Sequence, residues 1–180
     1  LQRLIELTRG RYPDYAFSPG EKFPGDLLPL LRAEAEGPRP VLMRWGYPKA
    51  HGTGLVINAR AETAADKALF RKSLQTRRCL LPVSGFYEWA KDAEHSKYLL
   101  RPKKPSLLYL AALYQEFGGE PRFVILTREA NASLSDIHPR MPVIIAAADL
   151  RAWLDDAKSA HSLLRQEGPR LTRSARPPRG

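Results

Sequence analysis

The chain has 180 residues, enough for one domain with a buried core, and its 43% hydrophobic and 27% charged residues are ordinary for a globular protein. No apolar run approaches the roughly 20 residues that span a bilayer. The start, with Arg3, Glu6, Arg9 and Arg11, lacks a secretory pattern, so a cytoplasmic protein without a membrane partner is expected. A single cysteine, Cys79, excludes an internal disulfide and a cysteine-framed zinc site, and a net charge of +10 suits either a polyanionic partner or simply a basic surface.

Leu1, Leu4 and Ile5 have helical spacing and predict a short amphipathic helix. Pro13, Pro19, Gly20, Pro24 and Gly25 then mark a loop-rich stretch. Gly37, Pro38 and Pro40 precede a strand from Val41 to Trp45, and a second strand is expected over Gly54 to Asn58. Thr63 is placed to cap a helix over Ala64 to Gln75, with Phe70 and Leu74 on one face. Short apolar runs bounded by Gly, Pro or polar residues read as strands: Cys79 to Val83, Phe86 to Ala90, Lys97 to Arg101, Ser106 to Tyr114, Arg122 to Thr127 and Pro142 to Ala147. A last helix begins near Asp149 and turns Leu150, Trp153 and Leu154 inward.

Many strands and few helices, without βαβ alternation, predict an α+β domain around a mainly antiparallel curved sheet or barrel. The domain is expected over 1–158. Residues 159–180 are expected to be a basic, disordered tail, since Gly168 to Gly180 offers only Leu171 as a large apolar side chain. The stretch Ala157 to Gly180 carries six Lys or Arg against Glu167, half of the net charge.

Several residues could carry chemistry, each with a structural alternative. Glu88 shares a strand face with Phe86 and Ala90. A carboxyl against apolar neighbours titrates high and can act as a general acid or base, whereas one on an exposed edge cannot. His138, held extended by Pro139, can shuttle a proton or serve as a loop histidine. Arg140 suits phosphate oxygens or solvent, and Arg60 shares a strand face with Asn58 if that strand continues. Asn58 can hold a hydroxyl or a nucleophile, or start a turn. Trp45, followed by Gly46, offers a stacking surface or belongs to the core. Cys79, within Cys-Leu-Leu-Pro-Val, reads as a buried, inert thiol. No pair of histidines has ligand spacing, so neither metal nor cofactor is expected.

Four segments stand in order along the chain: Arg44-Trp45-Gly46; Asn58-Ala59-Arg60-Ala61-Glu62-Thr63; Arg78 to Trp89, containing Gly85-Phe86-Tyr87-Glu88-Trp89; and Ile137-His138-Pro139-Arg140-Met141-Pro142. Leu126-Thr127 followed by Ala130-Asn131, the Trp153-Leu154 helix and Gly20 to Pro24 add lesser matches. Together these resemble the SRAP (SOS response-associated peptidase) family over about Leu1 to Asp156.

The resemblance implies an abasic-site sensor that binds single-stranded DNA and forms a reversible thiazolidine crosslink through an N-terminal cysteine, with removal of the initiator methionine as an autopeptidase step. It further implies catalytic roles for Asn58, Glu88 and His138, and DNA contacts for Trp45, Arg60, Thr127 and Arg140. A monomer is expected. Leu1-Gln2-Arg3 contains no cysteine, and the expectation is that the native start is absent from this sequence. The competing expectation is a noncovalent single-stranded DNA-binding module. A cysteine-independent peptidase lacks a visible Ser–His–Asp or metal constellation.

Overall fold

A computed structural model describes residues 2–91 and 95–176; Leu1 and the end of the expected tail, 177–180, lie outside them. The opening helix is α1 (Gln2–Arg11), which packs through Leu4 and Thr8 against β2 (Arg39–Trp45). The Pro- and Gly-rich stretch is followed by a strand that sequence patterning missed, β1 (Leu27–Arg32). Pro29 masks it as a strand. The proline is tolerated because β1 pairs with β2 along its whole length but with β6 (Arg78–Val83) only at Leu31 and Arg32, so Pro29 has no β6 partner.

Next along the chain come β3 (Tyr47–Pro48), β4 (Leu55–Val56) and β5 (Asn58–Arg60), then α2 (Ala68–Thr76) and β6. The run read as one strand, Gly54 to Asn58, is thus divided. β4 pairs with β3, while β5 pairs in parallel with β10 (Glu120–Glu129). The helix expected from Ala64 starts later, because the Thr63 carbonyl accepts from Asp66 N and Lys67 N and closes turns there. After β6 lie β7 (Phe86–Trp89), β8 (Lys97–Pro102) and β9 (Leu108–Phe117), then β10, β11 (Arg140–Pro142) and β12 (Ile144–Ile145). The helices α3 (Leu150–Asp155) and α4 (Ala157–Leu163) and the strand β13 (Leu171–Arg176) complete the described chain.

The main sheet closes on itself as β10–β2–β1–β6–β9–β10, a five-stranded barrel in which only the β2–β10 contact is parallel. Strand alternation divides its side chains into two layers. Leu28, Leu30, Val41, Met43, Cys79, Leu81, Leu110, Phe123 and Ile125 fill the interior. Leu80, Ala111, Leu113, Val124 and Leu126 face outward, under α2, α3 and α4, with Trp153 fully buried among them. Both faces of β6, β9 and β10 are therefore apolar, which explains their unbroken hydrophobic runs. A second sheet, β13–β8–β7, caps the interior with Leu171, Leu100, Phe86 and Tyr98.

The expectation of a patternless tail after 158 is corrected. Asp156 caps α4 by accepting from Lys158 N and Ser159 N, and β13 pairs with β8 from Leu171↔Pro102 to Arg176↔Lys97. One buried leucine and a ladder to β8 suffice to order a segment whose own hydrophobicity is low. The α+β class and the barrel match expectation.

Candidate functional site

Two turns bring the central pair together. Between β6 and β7, Gly85 permits a close approach, since a Cβ there would lie 2.5 Å from the Leu100 carbonyl. This sets β7 against β8 with Glu88 opposite Tyr98. Phe86 and Ala90 pack on the barrel interior, so Glu88 between them points toward it. The β10–β11 connection winds through helical turns, with Ser135 N donating to Asn131 O and His138 N to Leu134 O, and presents His138.

His138 Nδ1 lies 3.8 Å from Glu88 Oε2, a charge contact rather than a hydrogen bond. It also lies 2.9 Å from the Arg140 carbonyl and 3.2 Å from the Arg140 N–H. Either tautomer is therefore held: a protonated Nδ1 donates to the carbonyl, and a bare one accepts from the amide. Burial pushes the Glu88 carboxyl above its ordinary range, opposed by the charge of His138 and by a backbone N–H at Trp89. A carboxylic acid that keeps its proton higher on the pH scale, beside an imidazole, can pass protons in both directions.

Beside this pair runs a line of arginines. Ile125 faces the interior, and the parallel register Ile125↔Asn58 and Thr127↔Arg60 places Asn58, Arg60 and Thr127 on that side of the sheet at its open end. Asn58 and Arg60 are exposed, while Ala59 is buried under the helices. Thr127 is flanked by Arg60 on one side and Pro142 on the other. Arg140, two residues before Pro142, holds Glu62 with both ends of its fork: Nη1 to Oε1 and Nη2 to Oε2, each 2.8 Å. Its Nη2 also reaches the Thr127 carbonyl at 2.6 Å and Thr127 Oγ1 at 3.4 Å. Arg140 Nε is buried without a partner among the described residues. The guanidinium holds the Glu62 carboxyl below the usual carboxylate range.

Trp45 occupies the end of β2. Its ring stacks on Phe123 with centroids 6.3 Å apart, and its N–H donates to Ile57 O at 3.2 Å. It is half-buried wall, and its indole bond reaches Ile57, the neighbour of Asn58. Glu88, His138, Arg140, Thr127 and Arg60 thus form one continuous rim. Asn58 stands on that rim with no side-chain hydrogen bond to Glu88 or His138. Cys79 is fully buried, and burial pushes its thiol up, away from reactivity.

Sequence reasoning missed two contributors. Glu62 lies within a recognised segment, but its partner is 78 residues away, and spacing holds no signal of that. Asn131 braces the histidine loop, accepting from Ser133 N and Ser133 Oγ and donating through Nδ2 to the carbonyls of Gly168 and Pro169. The Asp136–Arg173 ion pair, at 2.6 Å, ties the same loop to β13.

A closed barrel capped by a small sheet, with a glutamate–histidine pair beside arginines on its rim, defines a class. Residues 6–174 match the SOS response associated peptidase (SRAP) family, and the chain belongs to it. Among its relatives are two abasic site processing proteins of Bacillus subtilis. It is 34% identical over 162 residues to YoqW, covering 83% of this chain and 70% of that protein, and 34% identical over 169 residues to YoaM, covering 87% and 72%. The Escherichia coli abasic site processing protein YedK is 32% identical over 146 residues, 78% of this chain and 64% of YedK. The same fold is seen in a crystal structure from Bordetella bronchiseptica, with a TM-score of 0.78 at 22% identity over 96% of this chain and 95% of that one. A second, from Bacteroides thetaiotaomicron, has a TM-score of 0.71 at 22% identity, covering 84% and 74%.

Proposed function

We propose that this protein recognises abasic sites in single-stranded DNA and takes part in their covalent capture. The observation that carries the reading is the meeting of Glu88 and His138 beside the arginine rim. The abasic sugar opens to an aldehyde. An N-terminal α-amine condenses with it to an imine, releasing water, and a neighbouring thiol adds across the C=N bond, its proton passing to nitrogen, to close a thiazolidine. Glu88 supplies and recovers the proton for sugar opening and for loss of water; His138 passes it on and assists reversal. Asn58 orients the nucleophile. Arg60 and Arg140 meet backbone phosphates, and Trp45 and Thr127 line the path of the strand.

The cysteine this chemistry requires is not among these 180 residues. Cys79 cannot replace it, being buried and having its amine in a peptide bond. That observation favours, as the second reading for the chain as it stands, a noncovalent single-stranded DNA-binding module.

A denaturing gel with abasic single-stranded DNA separates the two. The chain alone is expected to leave no heat-stable crosslink, and the chain preceded by Met-Cys-Gly-Arg to form one, slowed by Glu88→Gln and by Asn58→Ala. A stable crosslink from the unextended chain would overturn the assignment of the nucleophile. Failure of both proteins to shift abasic single-stranded DNA in a parallel native gel would overturn the reading itself.

A further inference from the structure

The arginine that best fits a DNA phosphate is already occupied. Its partner Glu62 presents two oxygens to the two terminal nitrogens of Arg140, the fork geometry that a phosphate would also fill. We propose that Glu62 holds the phosphate seat of Arg140 and that single-stranded DNA binds by displacing it, so that Glu62 lowers affinity for undamaged strands. This rests on the reading above, in which Arg140 meets the DNA backbone.

Three observations favour a displaceable occupant over a fixed brace. Arg140 is anchored without Glu62, because the Thr127 carbonyl, a group of the sheet itself, accepts from its Nη2 at 2.6 Å. The two partners differ in exposure: the Glu62 side chain is 46% exposed and that of Arg140 is 22%. The carboxylate can turn to water while the guanidinium stays in place. Glu62 also sits where the chain leaves β5, just after the Ala61 N–H that bonds Thr127 O, on a segment of turns rather than in the ladder. Beside it Arg60 is exposed on the same rim and forms no ion pair with a described residue, so an incoming phosphate meets a second cation as Glu62 leaves.

Exchange of carboxylate for phosphate conserves the charged hydrogen bonds of Arg140. The net gain from that contact is therefore small, and it is reduced further by repulsion between the released carboxylate and the strand. Every strand meets this cost. One that is also captured through an aldehyde near Glu88 and His138 is retained regardless, whereas an intact strand is released. Glu62 is in this sense a specificity residue acting through Arg140.

The test is a double-mutant cycle on the present chain, read by fluorescence anisotropy with an intact single-stranded oligonucleotide at fixed salt. Glu62→Gln, which keeps the shape and removes the charge, is expected to tighten binding about 3- to 10-fold. Arg140→Ala is expected to weaken it, and Glu62→Gln to tighten binding less in the Arg140→Ala background, where only its repulsion of the strand is relieved. Glu62→Asp, which retains the charge, should stay within about twofold of the wild type. If Arg140→Ala weakens binding but Glu62→Gln leaves it equal or weaker, the displacement is wrong and Glu62 is only a brace. If Arg140→Ala binds like the wild type, the phosphate contact itself fails, and the displacement with it. Circular dichroism on each variant guards against reading misfolding as weak binding.

Discussion

Arg78 and Arg140 are both largely withdrawn from water, and they have opposite kinds of partner. Arg78, on the helix-covered side of the barrel, is 5% exposed, and among the described residues its hydrogen bonds go to backbone carbonyls. Its Nε donates to Trp153 O at 2.6 Å, its Nη1 to Leu74 O at 2.9 Å and Gln75 O at 2.5 Å, and its Nη2 to Leu154 O at 3.1 Å. These carbonyls belong to the last turns of α2 and α3, whose C-terminal ends it caps together. None of them can leave. Arg140, on the open rim, bonds chiefly to a side chain that can. The same guanidinium is thus a fixed joint on one side and an exchangeable contact on the other, and the character of the partner decides which.

The comparison predicts unequal costs. Arg78→Met should lose about 3–5 kcal/mol, because it strands buried carbonyls at two helix ends. Arg140→Met should change stability by less than about 1 kcal/mol, since a rim ion pair contributes little. Urea midpoints for the two variants would break the comparison if they fell together.

Deleting Gly168 to Gly180 probes whether the rim sheet is as dispensable as its sequence suggests. Removing β13 exposes the pocket of Leu171 and strips Asn131, Ser133 and Asp136 of the histidine loop of their partners Gly168, Pro169, Leu171 and Arg173. A loss of roughly 2–4 kcal/mol is expected. An unchanged melting temperature would mean that β13 adds nothing to the domain.

Trp153→Phe tests the helix side more gently. It keeps an aromatic ring but loses the indole bond to Cys79 O at 3.0 Å, for a cost of about 1–2 kcal/mol by thermal melting.

The smallest effect has the opposite sign. Because burial raises the folded-state pKa of Glu88, the folded chain binds its proton more readily than the unfolded one. Stability from this group is complete below the ordinary glutamate pKa, about 4.3, and is lost as pH rises through the raised value. Glu88→Gln should therefore lift the melting temperature by about 1–2 °C at neutral pH and by nothing near pH 4. A destabilised variant at neutral pH would show that the Glu88–His138 contact outweighs the desolvation.

Much of this was legible in the sequence, and the failures have physical causes. Glu88 and His138 were readable because each sits inside a short, ordered motif, and the face shared by Phe86, Glu88 and Ala90 follows from strand alternation. β1 was hidden by Pro29, which is harmless only where a neighbour is missing. The start of α2 was misplaced because the Thr63 carbonyl, rather than its hydroxyl, organises the turn. β13 was invisible because its order comes from β8 and from the Arg173–Asp136 pair, neither of which leaves a trace in local hydrophobicity. The engagement of Arg140 by Glu62 is a matter of tertiary distance alone.

The parallel contact that closes the barrel has a consequence for how the chain acquires its shape. Arg44 and Trp45 must wait for Arg122 and Phe123 before the ring can shut. Every strand in between is laid down against an open edge until then. Such nonlocal closure carries a large entropy cost ahead of its reward, so we expect refolding on the slow, millisecond-to-second side of single-domain behaviour. During synthesis, β1, β2 and β6 emerge with their apolar faces uncovered well before β10 leaves the ribosome. Stopped-flow refolding followed by tryptophan fluorescence, to which Trp45 at the closing contact contributes, should report that closure as the last main phase, and microsecond recovery of the native signal would contradict it.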